Sequence, residues 1–143
     1  MSEVTPERGV TGEAAGGLVE ETHGHEAPSE GGRGQLRKDI SNAMVGIKKN
    51  LYGKGPTKAK TYINDNIVFC VLEGGLTQNE LTLLEAGEAD TVRSFRLKFQ
   101  EVVSEQATGA VEELTGRKVV GYHSQIVFDP DRAFEIFVLD EEP

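Results

Sequence analysis

Apolar residues recur along this chain with two periods, one of three to four residues and one of two. Spacings of three and four predict an amphipathic helix that ends at the Gly53–Pro56 segment. Its apolar positions are Leu36, Ile40, Ala43, Met44, Ile47 and Leu51. The stretch from Lys58 to Leu72 is rich in strand formers, with Asn64-Asp65-Asn66 at its centre. Because Asn and Asp suit tight turns, this stretch predicts a hairpin, and its second strand is apolar on both faces and therefore central in a sheet.

The second half of the chain repeats this order after two further helices. Thr77-Gln78-Asn79-Glu80 is a capping box that starts a short helix, which Gly87 ends. Asp90 is the predicted cap of a long helix ending near Leu114. We expect its inward stripe to comprise Val92, Phe95, Phe99, Val102 or Val103, Gln106, Ala110 and Leu114. A second hairpin, 118–128 and 133–139, follows around the turn 129–132, and its alternating apolar positions include Tyr122, Ile126, Phe134, Ile136 and Val138.

The predicted fold class is α+β, a four-stranded antiparallel sheet made from two hairpins with helices on one face. Both hairpins follow a helix that ends in Leu-x-Gly-basic, at Leu51–Lys54 and at Leu114–Arg117, which suggests a weak internal repeat. Residues 35–143 form one predicted domain. Residues 1–34, with eight glycines, seven glutamates and no aromatic residue, have the composition of a disordered tail.

Composition and charge exclude several classes of function. The 143 residues carry a net charge of −9, which argues against wholesale binding of nucleic acid or of an anionic membrane. One cysteine excludes an internal disulfide and four-cysteine zinc sites, and no apolar run is long enough to insert directly into a membrane. No signal-peptide pattern is present at the N-terminus, so we expect a cytoplasmic protein. We also expect no metal and no cofactor, because His23-Gly24-His25 is an incomplete metal site.

One basic segment stands out in this acidic chain. Residues 37–60 carry a net charge of +6, whereas residues 61–90 carry −6. The basic charge is densest where glycines and lysines alternate, at Gly53, Lys54, Gly55, Lys58 and Lys60. Such a loop can cradle a phosphate or another small anion, although its spacing is not that of a P-loop. The alternative is a solvated or subunit-contacting lysine surface beside an acidic one.

Residues for catalysis are sparse. His123 faces away from Tyr122 and Ile126, and no nucleophile is locally arranged with it. Cys70 lies in the most apolar strand, as a structural thiol does. The acidic pairs Glu112-Glu113 and Asp129/Asp131 are typical of a helix end and a turn. We therefore expect a protein that is not an enzyme and has no catalytic residues.

Several strings resemble a bacterial family of short proteins named for MpsC, a component of a sodium-translocating, membrane-potential-generating system. The matching strings are Tyr52–Ile63, Leu72–Thr77 with Leu83, Leu84 and Gly87, Val111–Val120 and Phe137–Leu139. The resemblance covers roughly residues 35–140 and implies no catalytic or ligand residue. It implies an accessory role at the cytoplasmic side of a membrane complex.

These observations lead to two leading hypotheses, with an enzyme that uses His123 as a third and less favoured class. The first is a non-enzymatic cytoplasmic interaction domain, peripheral at the inner face of the membrane and associated with an ion-translocating complex. It is expected to be a homodimer, because a helix of about 24 residues spans roughly 36 Å and outreaches the sheet of one small domain. The second is a small-anion or nucleotide-binding module that uses the Lys54–Lys60 loop.

Overall fold

The structure, a computed structural model, describes residues 30–143. It contains three helices and four strands, in the order α1 (Glu30–Tyr52), β1 (Lys58–Asn64), β2 (Ile67–Glu73), α2 (Gln78–Glu85), α3 (Ala89–Thr115), β3 (Val119–Phe128) and β4 (Asp131–Leu139). The predicted α+β class is confirmed. The packing described below is that of residues 38–143.

The first helix begins earlier than its apolar pattern predicts. It starts at Glu30, so residues 30–34, which composition assigns to the tail, are helical. Once a helix is nucleated, each added residue costs little, which lets α1 extend past glycines that do not favour helix. Residues 1–29, including the His23 and His25 pair, lie outside the described residues.

The sheet is antiparallel throughout, in the order β1-β2-β4-β3. As predicted, β2 is central, and Asp65 adopts the positive φ of 55° that its tight turn requires. Each hairpin follows a helix that ends in a left-handed glycine. The amide of Gly53 donates to Lys49 O and that of Gly116 donates to Glu112 O, both at 2.9 Å. The two Leu-x-Gly-basic strings therefore make the same helix end.

Helix α2 starts as its capping box predicts. Thr77 Oγ1 accepts from the Glu80 amide, and the Thr77 amide donates to Glu80 Oε1 at 2.9 Å. The predicted cap of α3 is wrong. The residue at that position is Glu88, whose side chain accepts from Thr91 Oγ1, while Asp90 lies in the first turn. An acid in the first turn still interacts favourably with the helix dipole.

The core lies between α1, α3 and one face of the sheet. Its fully buried side chains include Ile40 and Met44 from α1, Val68 and Leu72 from β2, and Phe137 and Leu139 from β4. The predicted stripe of α3 is wrong in part, because the buried residues are Val92, Val103, Ala107 and Val111. Phe95 of that predicted stripe is instead 45% exposed, and of the two alternatives Val103 is buried whereas Val102 is 45% exposed. The helix has apolar side chains on more than one flank, so spacing alone selects the wrong one.

Strand β4 turns towards the core the face opposite to the one that its alternating bulky residues suggest. Phe134, Ile136 and Val138 are half-buried, whereas Glu135 and Phe137 are fully buried under the helices. A strand places alternate residues on opposite faces, so this choice brings a glutamate into the core.

Candidate functional site

The most unusual group in the core is the carboxylate of Glu135, which is 0% exposed. Its Oε2 accepts from Lys48 Nζ at 3.0 Å and from Ser124 Oγ at 3.1 Å. Its Oε1 accepts from the Tyr122 hydroxyl. A buried charge is tolerated only when it is paired and hydrogen-bonded, and both oxygens of Glu135 meet that condition.

Regular secondary structure brings these groups together. Lys48 continues the inward row of Ile40 and Met44 at four-residue spacing along α1. Glu135 lies directly between Cys70 of β2 and Ser124 of β3 in the register of the sheet. These rigid elements hold the ion pair in place without help from a loop. The sequence does place a lysine and a glutamate at positions that face the core. Because β4 carries apolar residues on both of its faces, however, the pattern does not show that its glutamate points inward.

The same row of the sheet continues with hydroxyl and thiol groups. Thr61 Oγ1 lies 3.3 Å from Cys70 Sγ and 2.7 Å from Ser41 Oγ of α1. Burial raises the pKa of the Cys70 thiol to about 12, although the Thr61 hydrogen bond opposes the shift. Cys70 is therefore a structural thiol at neutral pH, as its apolar strand predicts.

A second ion pair joins α2 to α3. Arg96 donates from Nε to Glu80 Oε2 and from Nη2 to Glu80 Oε1, both at 2.6 Å, and also from Nη2 to Gly75 O at 3.1 Å. The Arg96 guanidinium also lies 3.7 Å from the centre of the Tyr52 ring. This two-pronged geometry is the strong form of an arginine–carboxylate contact. Arg96 therefore contacts α2, the loop before it and the end of α1 at once, and we call this set of contacts the Arg96 clamp.

The ionisation of this network follows from burial and hydrogen bonds. Burial tends to raise the pKa of the Glu80 carboxyl, but hydrogen bonds from Arg96 and Thr77 outweigh it and hold that pKa below its ordinary value. Burial likewise raises the pKa of the Tyr52 and Tyr122 hydroxyls, and the nearby Glu135 carboxylate adds to the shift at Tyr122. Glu80 is therefore ionised at neutral pH while both tyrosines are neutral.

A small cleft lies between the two ion pairs. It has a volume of about 60 Å³, and its lining includes Lys48, Tyr52, Arg96, Gln100 and Ser124. A water molecule occupies about 30 Å³ of liquid, whereas sites for drug-sized ligands have about 300–1,000 Å³. The cleft has room for one or two waters and is too small for a nucleotide.

The predicted lysine surface is divided between a loop and a strand. Lys54 is exposed in the loop after α1, whereas Lys58 and Lys60 are exposed on β1. Lys58 pairs in register with Glu73, and Lys60 Nζ lies 5.4 Å from the centre of the Tyr62 ring. None of these lysines lines the small cleft or the cavity of about 390 Å³ beside Phe69, Phe134 and His123. Anion binding by this segment stays a prediction.

Glycines in the loop before β1 and in the loop after β2 have a packing role. A Cβ on Gly55 would lie 3.2 Å from Val45 O of α1, and one on Gly75 would lie 3.3 Å from Pro56. A Cβ on Gly74 would come within 2.6 Å of Thr57 Oγ1. The loop before β1 and the loop after β2 are therefore in close contact. Two of the strings that resemble the MpsC family, Tyr52–Ile63 and Leu72–Thr77, meet at this contact.

Other candidate residues have structural partners or are exposed. Glu112 Oε2 accepts from the Val119 amide at 2.8 Å, and the Asp131 backbone carbonyl accepts from Gly74 at 3.4 Å. Burial raises the pKa of the Asp131 carboxyl. His123 is exposed on the face opposite Tyr122. Within residues 30–143, no cluster of three His, Cys, Asp or Glu side chains could hold a metal ion.

The sheet face that points away from the helices is apolar. We call it the open face and define it by Tyr62, Ile67, Phe69, Val71, Phe134, Ile136 and Val138. The rings of Phe69 and Phe134 stack at 5.9 Å with an angle of 3° between them, and Tyr62 lies against Phe69 at 6.1 Å. Tyr62 and Ile67 are 39% and 40% exposed. An apolar surface of this extent is typical of a contact with another molecule.

A second apolar surface lies on α3. We call it the α3 patch and define it by Phe95, Phe99 and Val102, which are spaced so that they share one flank of the helix. The Phe99 ring lies 4.9 Å from both the Phe95 and the Tyr52 rings. Tyr52 joins the patch to the Arg96 clamp.

Together, the fold and these surfaces define a class, a small α+β domain with a buried ion-pair network and two exposed apolar surfaces. The family can also be stated. Residues 32–141 match the family model described as "Na+-translocating membrane potential-generating system (MpsC)", so the chain belongs to the MpsC family, as its strings predict. It is 31% identical over 106 residues to "Uncharacterized protein YrhF" of Bacillus subtilis (strain 168). That alignment covers 73% of this chain and 87% of the relative. No solved structure matches the chain significantly.

The family description refers to a membrane process, which raises the question of a membrane-spanning segment. Of the three helices in residues 30–143, none combines the length and the apolar character needed to cross a bilayer.

Proposed function

We propose that this chain is a non-catalytic accessory domain that acts at the cytoplasmic face of a membrane and binds a membrane component of an ion-translocating, membrane-potential-generating system. The membrane system comes from the family description. The observation that carries the binding role is the α3 patch, where Phe95 and Val102 remain exposed on the 27-residue helix α3. Large apolar side chains grouped on a helix are the usual anchor residues of a helix that docks against a partner.

A binding role agrees with the chemistry of the interior better than catalysis does. The charged groups of the core are paired with one another, as Lys48 is with Glu135 and Arg96 is with Glu80. The cleft between them has a volume of only about 60 Å³, which supports a structural role for both pairs. We infer that one ion pair fixes α1 on the sheet, that the other fixes α2 against α3, and that the second thereby fixes the shape of the α3 patch.

The test is crosslinking in the native host, with the wild type and two variants. Val102→Glu places a charge in the α3 patch, and Ser94→Glu places the same charge at an exposed position on another flank of α3. We expect an integral membrane protein to be crosslinked to the wild type and to Ser94→Glu but not to Val102→Glu. Recovery of the same membrane partner with all three proteins would contradict a role for the patch.

A transport measurement links the captured partner to the proposed function. Membrane vesicles from cells that lack this chain should develop a smaller sodium-dependent membrane potential, as reported by a potential-sensitive dye. Adding back the wild type or Ser94→Glu should restore the signal, and Val102→Glu should not. An unchanged potential in vesicles without the chain would contradict the proposal.

A further inference from the structure

The open face of the sheet has the composition of a buried surface. Strand β2 is apolar at six consecutive positions, Ile67 to Leu72, and such runs are typical of strands that are covered on both faces. The helices cover Val68, Cys70 and Leu72, which are at most 1% exposed. Ile67, Phe69 and Val71 point the other way, towards solvent. The sequence of β2 is therefore typical of a strand that is covered on both faces, whereas residues 38–143 of one chain cover only one of them.

The open face also has the layout of an interface. Its apolar centre lies on the central strands β2 and β4, where Phe69, Phe134 and Ile136 meet. Polar side chains lie around it, with Lys58 and Lys60 on β1, His123 and Gln125 on β3, and the ion pair of Glu73 and Arg132 at one end of β2 and β4. An apolar core with a polar rim is the usual anatomy of a specific protein interface.

The size of the face suits a dimer. Four strands spaced about 4.8 Å apart are roughly 19 Å wide, and seven residues at about 3.4 Å each are roughly 24 Å long. The flat area is therefore about 450 Å², and protruding side chains raise the accessible area towards the value of about 800 Å² per partner that is typical of stable complexes.

We propose that a second copy of this chain covers the open face, so that two sheets pack face to face with the helices outside. Identical sheets have the same twist, and packing aligned at about 30° lets their side chains interdigitate about 10 Å apart. A symmetric dimer needs only the surface already present on each copy.

The positions of the lysines favour one of two possible two-fold axes for this dimer. A two-fold axis across the strands would place β1 over β1 and bring Lys58 and Lys60 near the partner's own lysines. An axis parallel to the strands places β1 over β3, so that Lys60 faces Gln125 and Lys58 faces Val127 in the register of the sheet. Because like charges in contact destabilise an interface, we infer the axis parallel to the strands.

The first test measures the mass of the full chain by sedimentation at roughly 10–100 µM, a range in which a dimer of micromolar affinity forms. We expect twice the chain mass of 15.5 kDa for the wild type. Ile136→Glu puts a charge at the centre of the open face and should give the mass of one chain with an unchanged circular dichroism spectrum. Val102→Glu, in the α3 patch, is the matched control and should remain a dimer.

These variants separate this inference from the proposed function, because each surface has its own substitution. A monomeric wild type across this range would overturn the inference and leave the open face for a different protein. A dimer that survives Ile136→Glu, or is lost in Val102→Glu, would also overturn it. Loss of membrane-partner capture in Val102→Glu while the dimer persists would support both proposals.

The second test reports the arrangement without disturbing the apolar centre. Lys60→Cys and Gln125→Cys chains are mixed and treated with a bismaleimide whose arm spans about 10 Å, the spacing of packed sheets, because a disulfide needs Cα atoms within about 7 Å; Cys70 remains buried in both. We expect a crosslinked dimer in the mixture and little in either protein alone. Efficient linkage of Lys60→Cys to itself would overturn the axis parallel to the strands, and no linkage in the mixture would overturn the face-to-face dimer.

Discussion

Glu135 and Lys48 are 87 residues apart in the chain, yet Oε2 of the one lies 3.0 Å from Nζ of the other in the core. The pair connects α1 to β4 and therefore joins the first helix to the last strand. The Coulomb attraction of a buried pair is offset by the loss of hydration of both charges. The main consequence of the pairing is that a substitution of either residue alone leaves the other as an unpaired charge.

We therefore expect Lys48→Met to lower the free energy of unfolding by about 3–5 kcal/mol, the usual cost of breaking a buried pair from one side. The double variant Lys48→Met/Glu135→Gln should be more stable than Lys48→Met, because no buried charge remains. Urea unfolding followed by circular dichroism measures both. A double variant less stable than Lys48→Met would show that Glu135 does not depend on the lysine.

The Glu80–Arg96 pair should make stability depend on pH in the acid range. The pKa of Glu80 is lowered on folding, by hydrogen bonds from Arg96 and Thr77 that outweigh burial. A group with a lowered folded pKa contributes stability above its unfolded pKa and loses it as the pH falls through the folded pKa. The stability difference between wild type and Glu80→Gln should be largest near neutral pH and shrink below about pH 4.

The measurement is urea unfolding of both proteins between about pH 3 and pH 7, a range that brackets carboxyl titration. Glu85→Gln, at an exposed position on the same helix, serves as the control and should match the wild type throughout. A Glu80→Gln difference that stays constant with pH would show that the carboxylate charge is not what Arg96 recognises.

The Cys70 thiol should be inert in the folded protein. Its pKa is raised to about 12 by burial, three units above the ordinary value of 9.0, so its thiolate is about a thousand-fold scarcer at neutral pH. We expect no reaction with a thiol reagent such as dithionitrobenzoate over an hour and one thiol per chain in denaturant. Fast native labelling would mean that β2 opens or that the thiol is activated.

Local signals in the sequence predict most of the fold. The Thr77 and Glu80 capping box, the Gly116 helix end and the Asp65 turn each depend on residues a few positions apart, and all three are confirmed. Because each of these signals acts between residues a few positions apart, the sequence alone is enough to predict them. The predicted start of α1 and the predicted cap of α3 are wrong, because helix ends depend on small differences between neighbouring residues.

The buried site could not be predicted in the same way. Both faces of β4 carry bulky apolar residues, so the alternation does not say whether Phe134 or Phe137 points inward. The answer depends on Glu135 finding Lys48, a contact between distant parts of the chain. Glutamate is normally exposed, so its residue type alone predicts that it points outward, and only the contact with its lysine partner makes the buried position favourable.

The basic segment has two interpretations, an anion-binding site and a contact surface, and an experiment on its lysines distinguishes them. If Lys54, Lys58 and Lys60 bind one anion, ATP or phosphate at 100 times its dissociation constant should stabilise the fold by roughly 2.7 kcal/mol. The positions of these lysines, one in a loop and two on β1 beside the open face, favour a contact surface instead. We expect neither ATP nor phosphate to raise the melting temperature.

The triple variant Lys54→Gln/Lys58→Gln/Lys60→Gln completes this prediction. Its matched control replaces three lysines that are exposed elsewhere, Lys38, Lys98 and Lys118, and so makes the same change in net charge. If the segment is a contact surface, the first variant should change the dimer affinity or partner capture more than the control does. That difference should fade at high salt, because exposed charges are screened beyond about 8–10 Å. A saturable ATP- or phosphate-dependent rise in melting temperature, lost in the first variant and kept in the control, would establish the anion site instead.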